Sequence, residues 1–277
     1  MKNYLIPAAA LTLLLLASSC GKKSVHTADS ATVVAGQTAD SLFSTPDLLW
    51  HQLRGPVASC VTLETAALTR GSEFSADPSA EGATSDSITF SPQGLLLSQT
   101  TVRRFGGINH LALKVALSYD ADGNLVSGSD SSAEPHLKAD IVRNAFGEPT
   151  DYVVCLPDGS FNSENAFRLA LSWGDGRLLR SELKADELVE KRKFSYAGMS
   201  FFPSSVKLES EDIEESVIGE ESYVYTSFDE MGNWTERHVT VKTRGKRYDV
   251  DSELPEAREE AVLTYRIDRR RISYFNR

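Results

Sequence analysis

The sequence predicts a mainly β fold: one antiparallel sheet of irregular β-hairpins, either curled or sandwich-like, with little helix. Apolar residues alternate with polar or small ones along residues 111–119 and again along residues 167–173. A period of two is typical of a strand with one buried face. Short turns containing Gly123 or Gly232 lie beside further apolar residues, and such turns join neighbouring antiparallel strands.

Composition sets outer limits on the kind of protein. Charged residues make up 25% and hydrophobic residues 41% of the chain, which is ordinary for a globular protein. With 29 basic and 39 acidic residues the net charge is −10, which argues against a general nucleic-acid binder, because such proteins need a basic footprint. Three Cys are too few for a disulfide scaffold.

The first 20 residues have the pattern of an export signal. Lys2 provides a positive start, residues 5–17 are apolar except for Thr12, and small residues precede Cys20. The apolar run is too short to span a bilayer comfortably. The same pattern also fits an ordinary cleaved signal in which the Cys is incidental.

This segment resembles bacterial lipoprotein signal peptides, in which the Cys after the small residues is acylated and becomes the new N-terminus. The usual Leu is displaced by one position, with Leu16 at −4 and Ala17 at −3, as in lipoproteins of the Bacteroidota. The resemblance implies removal of residues 1–19 and acyl chains such as palmitate on Cys20. It also implies a lipid anchor in the bacterial outer membrane, with the periplasmic or surface face left open.

Residues 20–45 are rich in Ser, Thr, Ala and Asp, which predicts a lipidated Cys followed by a flexible tether. Ser30 and Ser41 lie in three-residue segments that resemble the O-glycosylation motif of Bacteroidota envelope proteins, although such short matches also arise by chance. Residues 46–277 form a single predicted β-rich domain.

Two segments of this domain have a different pattern. Residues 47–53 predict one short helical turn that ends before Gly55-Pro56. Residues 137–146 carry apolar residues at helical spacing, followed by Gly147, and predict a helix or an irregular loop. In the last strand, Leu263, Tyr265 and Ile267 predict the buried face, with Arg266 and Asp268 on the opposite face.

Three predicted turns share one pattern: an aromatic residue, three turn residues, a Gly and then an apolar residue. They occupy residues 90–95, 119–125 and 228–234. Gly suits the position because it adopts positive φ without a steric penalty. The units that begin at Tyr119-Asp120 and Phe228-Asp229 resemble YD repeats of the Rhs type, and more closely the short YD-repeat-like lipoproteins of the Bacteroidota. The resemblance implies an elongated or curled sheet of hairpins and no enzymatic activity.

Cys60 and Cys155 remain once Cys20 is assigned to the lipid. An exported compartment permits a disulfide between them. Both lie in apolar, strand-like segments, where unpaired Cys residues behave as small core residues. The sequence leaves both possibilities open.

Charged segments are the other candidate sites. Seven carboxylates lie within residues 209–221, and we expect a solvated loop between strands there. Basic residues cluster at the C-terminus, and a second group lies upstream of them: Arg266, Arg269, Arg270, Arg271 and Arg277, with Lys242, Arg244, Lys246 and Arg247. They predict a basic face for an anionic partner or, more simply, outward polar positions that deter pairing of strand edges.

No catalytic residue, cofactor or metal site is predicted. Asp120, Asp122 and Asn124 alternate as in a calcium loop but lack its Gly and Glu positions, so they predict a hairpin turn. Trp50, Trp173 and Trp234 are candidates for stacking on a glycan, although core packing is favoured for the last two. We therefore expect a non-enzymatic, membrane-anchored envelope lipoprotein that presents a sheet surface to a protein or glycan partner. The alternative is a glycan-binding or glycan-processing lipoprotein.

Overall fold

The computed structural model describes residues 44–276, except residues 79–81, 106, 133, 164, 213–214 and 248–257. The predicted signal peptide, the lipidation site Cys20, the tether up to residue 43 and the candidate glycosylation sites Ser30 and Ser41 lie outside the described residues. So does the C-terminal Arg277.

The described chain forms one short helix and fifteen strands. In chain order these are α1 (Pro46–Trp50), β1 (Val57–Arg70), β2 (Glu73–Ala76), β3 (Ala83–Phe90), β4 (Leu96–Phe105), β5 (Ile108–Tyr119), β6 (Leu125–Asp130), β7 (Leu137–Arg143), β8 (Pro149–Cys155), β9 (Phe167–Gly174), β10 (Arg177–Ala185), β11 (Leu188–Tyr196), β12 (Pro203–Glu211), β13 (Glu215–Phe228), β14 (Trp234–Arg247) and β15 (Arg258–Tyr274).

The strands form one antiparallel sheet that closes on itself. Each strand from β3 to β14 pairs with the next along the chain, β1 pairs with β3, and β15 pairs with β1. The result is a 14-strand barrel, with β2 as a hairpin extension of β1. The prediction of a mainly β, antiparallel fold is confirmed, and of the two shapes left open the curled one is observed.

Connections between neighbouring antiparallel strands alternate between the two ends of the barrel. One end carries the turns β3–β4, β5–β6, β7–β8, β9–β10, β11–β12 and β13–β14, together with the start of β1. We call it the capped end, because α1 lies there, and the opposite end the far end. All three turns singled out in the sequence are at the capped end.

Four of these turns have the same hydrogen bonds. A side-chain oxygen on the first residue accepts from the N–H groups two and four residues later, at Ser91, Asp120, Asn144 and Asp229. The Gly three residues after that oxygen has positive φ in each turn, from 76° at Gly232 to 84° at Gly123. Three of the four turns follow the predicted aromatic–Gly pattern, and the turn at Asn144 was not predicted.

The missed turn lies where a helix or irregular loop was predicted, and that prediction is wrong. Residues 137–143 are strand β7, with Leu137, Ala139 and Ile141 buried in the barrel. Leu137 and Ile141 are four residues apart, which fits one face of a helix. Ala139 between them is also apolar, so the same residues fit the alternation of a strand. Pairing with β8 on one side and β6 on the other decides for the strand.

The helix α1 fills the mouth of the capped end. Thr45 caps it, Pro46 is its first residue, and Leu48 and Trp50 are buried. Its segment contacts Tyr152 on β8 through Trp50 and Phe90 on β3 through His51. Because these strands lie on different sides of the ring, the segment crosses the opening rather than lying along the wall.

Polar contacts hold this segment in place. Asp47, which is buried, accepts hydrogen bonds from the Leu96 backbone N–H at 2.8 Å and from the Arg143 guanidinium. Asn233 forms two hydrogen bonds with the backbone of Arg54, at 2.7 and 2.9 Å. The helix predicted at residues 47–53 is therefore present, shifted to begin at Pro46.

Candidate binding surface and buried charge network

The barrel interior has an apolar sector and an ionic sector. Along β5 to β10 the inward side chains are mostly apolar, including Leu113, Ile141, Tyr152 and Phe167. Strands β1, β3, β4, β11 and β13 to β15 direct charged side chains inward: Glu64, Asp86, Arg103, Glu190, Arg192, Glu221, Arg237, Arg266, Asp268 and Arg270. Five of these ten are acids and five are arginines, so the charges of this ionic sector balance when all ten are ionised.

Asp268 is the centre of this network. Arg237 Nε lies 2.8 Å from its Oδ2, and Arg266 Nε lies 2.6 Å from its Oδ1. Burial alone would raise the pKa of Asp268, but the two guanidinium groups hold it below its usual value. Arg266 also approaches Glu64 at 3.7 Å and Glu221 at 4.0 Å, which links β15 to β1 and β13.

The last strand therefore faces the opposite way from the sequence prediction. Arg266 and Asp268 point into the barrel, whereas Leu263 is half exposed. Ile267 is buried on the outer side of the sheet, near Phe74, which stacks on His238 and meets Tyr265 edge-on. The predicted face is reversed because the charged residues find partners in the ionic sector.

Trp234 contacts two guanidinium groups inside the barrel. The Arg237 guanidinium carbon is 4.1 Å from the ring centroid and that of Arg270 is 3.8 Å from it. Arg270 also donates to the backbone oxygens of His51 and Gln52, at 2.9 and 3.1 Å. This contact joins the ionic sector to the α1 segment. Cation–π contacts of this kind are strongest when they are shielded from water.

Burial changes the ionisation of several acids in the ionic sector. It raises the pKa of Asp86 to about 7, despite hydrogen bonds from Thr101 and Gln99. Burial likewise raises the pKa of Glu64 and of Glu221. Asp86 and Glu221 are buried and the Glu64 side chain is 19% exposed. The contacts of these three acids join different strands of the barrel.

One shallow pocket lies beside α1 at the capped end. Its lining includes Trp50, Arg177, Tyr196 and Phe201, and its cavity volume is about 10 Å³. That is room for about one water, so the pocket is too small for a sugar ring.

The outer wall carries charges in ordered rows. The rows cross β12, β13 and β14: Lys207, Glu220 and Lys242; then Glu209, Ile218 and Arg244; then Glu211, Ser216 and Lys246. We call these nine residues the charged wall. Acidic residues on β12 thus lie two strands away from basic residues on β14, with Ile218 66% exposed between them.

Two predictions, for the acidic segment and for the basic cluster, differ from the structure. The acidic segment is a β-hairpin of β12 and β13 rather than a loop, and its Glu221 is buried in the barrel. The basic cluster is divided: Arg266 and Arg270 point inward, while Arg269 and Arg271 are exposed, as are Lys242, Arg244 and Lys246. Period-two alternation separates the residues that the sequence had grouped.

The remaining candidate residues are placed as follows. Cys60 on β1 and Cys155 on β8 are both buried and free, so the structure does not bring them together. Trp50 and Trp234 are fully buried and Trp173 is partly buried. Asp120 accepts hydrogen bonds within its own turn from Asp122 and Asn124, as expected for a hairpin turn.

Among the described residues, no group of three or more His, Cys, Asp or Glu side chains is arranged to hold a metal ion. Within the same part of the chain, no helix has both the length and the apolar character needed to cross a membrane. Comparison with known families and proteins found no family model and no curated protein that matches the chain.

Proposed function

We propose that this chain is a non-enzymatic envelope lipoprotein, anchored by acyl chains on Cys20, whose barrel presents its outer wall to a protein or glycan partner. The observation that carries the proposal is the charged wall. Its side chains point away from a barrel interior that is occupied by packed apolar and ion-paired residues. The outer surface is therefore the part of the domain available to a macromolecule.

Closure of the sheet favours one mode of binding. Because β1 pairs with β15, these two strands do not offer a free edge along their paired length, and addition of a partner strand there is disfavoured. Side-chain complementarity is the remaining mode for the wall. A partner with basic groups opposite Glu209 and Glu211 of β12 and acidic groups opposite the basic residues of β14 would match the observed rows.

Glycan binding is the second candidate, and the basic row on β14 favours it. Lys242, Arg244 and Lys246 are exposed at alternate positions of one strand, which spaces successive residues by roughly 7 Å. A regular line of cations of this kind suits a polysaccharide with repeated anionic groups. Arg is particularly suited to planar anions such as carboxylates.

The experiment is cross-linking of the tagged, full-length protein in intact cells, followed by purification and mass spectrometry. We expect a reproducible envelope protein or envelope polysaccharide to be captured. The double substitution Lys242→Glu and Lys246→Glu should abolish capture. Lys138→Glu is the matched control, because Lys138 is an exposed lysine on β7, halfway round the ring. Equal capture by both variants would contradict a role for the wall.

The anchor is tested separately by cell fractionation and by the mass of the mature N-terminal peptide. We expect Cys20 to carry acyl chains, and Cys20→Ala to move the protein out of the membrane fraction. A Cys20→Ala protein that remained quantitatively in the membrane fraction would contradict the lipid anchor.

A further inference from the structure

The two most exposed large apolar side chains of the described residues both lie at the capped end. Met199 is 91% exposed in the β11–β12 loop, and Phe146 is 84% exposed at the tip of the β7–β8 turn. Val126, Val142, Leu179 and Phe228 are further exposed apolar residues near the same end of their strands or turns. We call these six residues the apolar rim; they follow an arc from β6 to β13.

The chain also enters the barrel at the capped end. Thr45, the second described residue, donates to the Gly94 backbone oxygen in the β3–β4 turn at 2.6 Å. Arg143 ties α1 to the β7–β8 turn, because it donates both to Asp47 and to the Gly147 backbone oxygen. The segment that connects Cys20 to the domain therefore ends beside the turn that carries Phe146.

Charge at the capped end distinguishes among possible membrane surfaces. Asp120, Asp122, Asp175 and Glu230 are exposed on its turns, and Arg177 is partly exposed there. Acidic groups predominate among these exposed residues, which disfavours attraction of this end to anionic headgroups. Any contact with a lipid surface would depend on the apolar side chains.

We propose that the apolar rim docks into the headgroup layer of the membrane that carries the lipid anchor, with the charged wall at the side of the barrel and away from that layer. This inference rests on the proposed function, because acyl chains on Cys20 supply the membrane. The 25 residues from Cys20 to Ser44 reach at most about 90 Å when fully extended, which permits many orientations. Apolar side chains that enter the headgroup and acyl boundary select one of them.

The test uses the full-length, lipidated protein in vesicles of zwitterionic phosphatidylcholine. A fluorophore is attached at Met199→Cys or at Ile108→Cys, and quenching by lipids with a nitroxide near the headgroup is measured. Ile108 is the matched control because it is 64% exposed beside the β4–β5 turn, at the far end. The native Cys60 and Cys155 are buried and should not react with the label while the protein is folded.

We expect the probe at residue 199 to be quenched several-fold more than the probe at residue 108. Added anionic lipid should not increase the difference. Equal quenching at the two positions would overturn the proposal. It would also be overturned if residue 199 were unquenched by lipid yet cross-linked to a protein in cells, because the rim would then be a protein interface.

A second measurement does not depend on the acyl chains. The mature chain from residue 20 onward, with Cys20→Ala, is mixed with the same vesicles, and the bound fraction is measured by flotation. Adding Phe146→Ser and Met199→Ser should lower the partition coefficient by about tenfold or more, whereas adding Ile108→Ser should leave it unchanged. These side chains are exposed, so unchanged thermal unfolding verifies that the variants are folded.

The two measurements separate the rim from the anchor. If mass spectrometry finds acyl chains on Cys20 and residue 199 is not quenched, the rim inference fails while the anchor holds. If Cys20 carries no acyl chain, the proposed anchor fails, and the flotation result still supports or overturns the affinity of the rim for lipid.

Discussion

Asp86 is the residue whose ionisation has the clearest consequence for stability. It accepts hydrogen bonds from Thr101 Oγ1 at 2.8 Å and from Gln99 Nε2 at 3.3 Å. Burial raises its pKa from 3.8 to about 7, and the nearby Glu64 carboxylate acts in the same direction. The folded protein therefore binds a proton at Asp86 over a pH range in which the unfolded chain has released it. This contribution is largest at low pH and is lost as the pH rises from about 4 to 7.

We expect the unfolding free energy of the Asp86→Asn variant to increase relative to that of the native protein as the pH rises. The Asn side-chain oxygen can accept the same two hydrogen bonds, but it carries no charge to bury. Between pH 5 and pH 8 the difference in unfolding free energy should shift towards the variant by roughly 2–3 kcal/mol. Urea unfolding at the two pH values measures this shift.

The lowered pKa of Asp268 favours the folded state at higher pH and so acts in the opposite direction. Because Asp268 is present in both the variant and the native protein, its contribution cancels in the difference between them. Asp122→Asn makes the same chemical change at an exposed turn and serves as the control. A shift of the same size in both variants would show that Asp86 is not the group responsible.

At the scale of elements, the repeated turns at the capped end have two roles. Each one reverses the chain with a Gly at positive φ. The β3–β4 turn also binds the α1 segment, because Thr45 Oγ1 donates a hydrogen bond to the Gly94 backbone oxygen. A Cβ atom placed on Gly94 would lie 2.7 Å from Thr45 Cγ2 and 2.8 Å from Thr45 Oγ1. At Gly123, in the equivalent turn, the nearest atom would be Leu95 Cδ1 at 3.6 Å.

This difference makes Gly94→Ala and Gly123→Ala a matched pair. Both place a side chain at similar positive φ, +78° and +84°, which costs about 1–2 kcal/mol. Only Gly94→Ala also displaces Thr45, so we expect a larger loss of unfolding free energy and faster hydrogen exchange at the Leu49 N–H, which donates to the Thr45 backbone oxygen. Equal losses would mean that the turn does not hold the helix.

At the scale of the whole molecule, closure of the barrel places the ends of the domain against each other. Cys60 lies on β1 at the seam, where it is paired with Ile272 of β15, and burial raises its pKa. Cys155 is buried at the end of β8, where it pairs with Lys138 of β7, and five strands lie between β8 and β1 on the shorter way around the ring. The two thiols therefore report on the integrity of different parts of one barrel.

We expect neither thiol to react with a thiol reagent in the folded protein and both to react once urea unfolds it. Titration without a reductant measures the number of free thiols, and its time course follows opening of the barrel. Rapid reaction in the absence of urea would contradict the burial of these residues. The absence of any reactive thiol after unfolding would indicate the disulfide that the sequence left open.

Local patterns in the sequence determined the strand-rich fold, three of the four similar turns and the short helix near residue 47. These features depend on neighbouring residues: alternation sets the buried face of a strand, and Gly permits positive φ. The turn at Asn144 has the same Gly but lacks the preceding aromatic residue. Its hydrogen bonds are nonetheless the same, so the side-chain oxygen and the Gly were the more general signal.

Only the tertiary structure decided closure of the sheet, the inward direction of Arg266 and Asp268, and the separation of the basic cluster into buried and exposed parts. Asp268 meets Arg237, 31 residues away, and Arg270 meets the backbone of His51, 219 residues away. A charged residue is normally expected to face water because burial without a partner is costly. Here the partners come from distant strands, so the direction of these side chains could be known only once the strands were assembled.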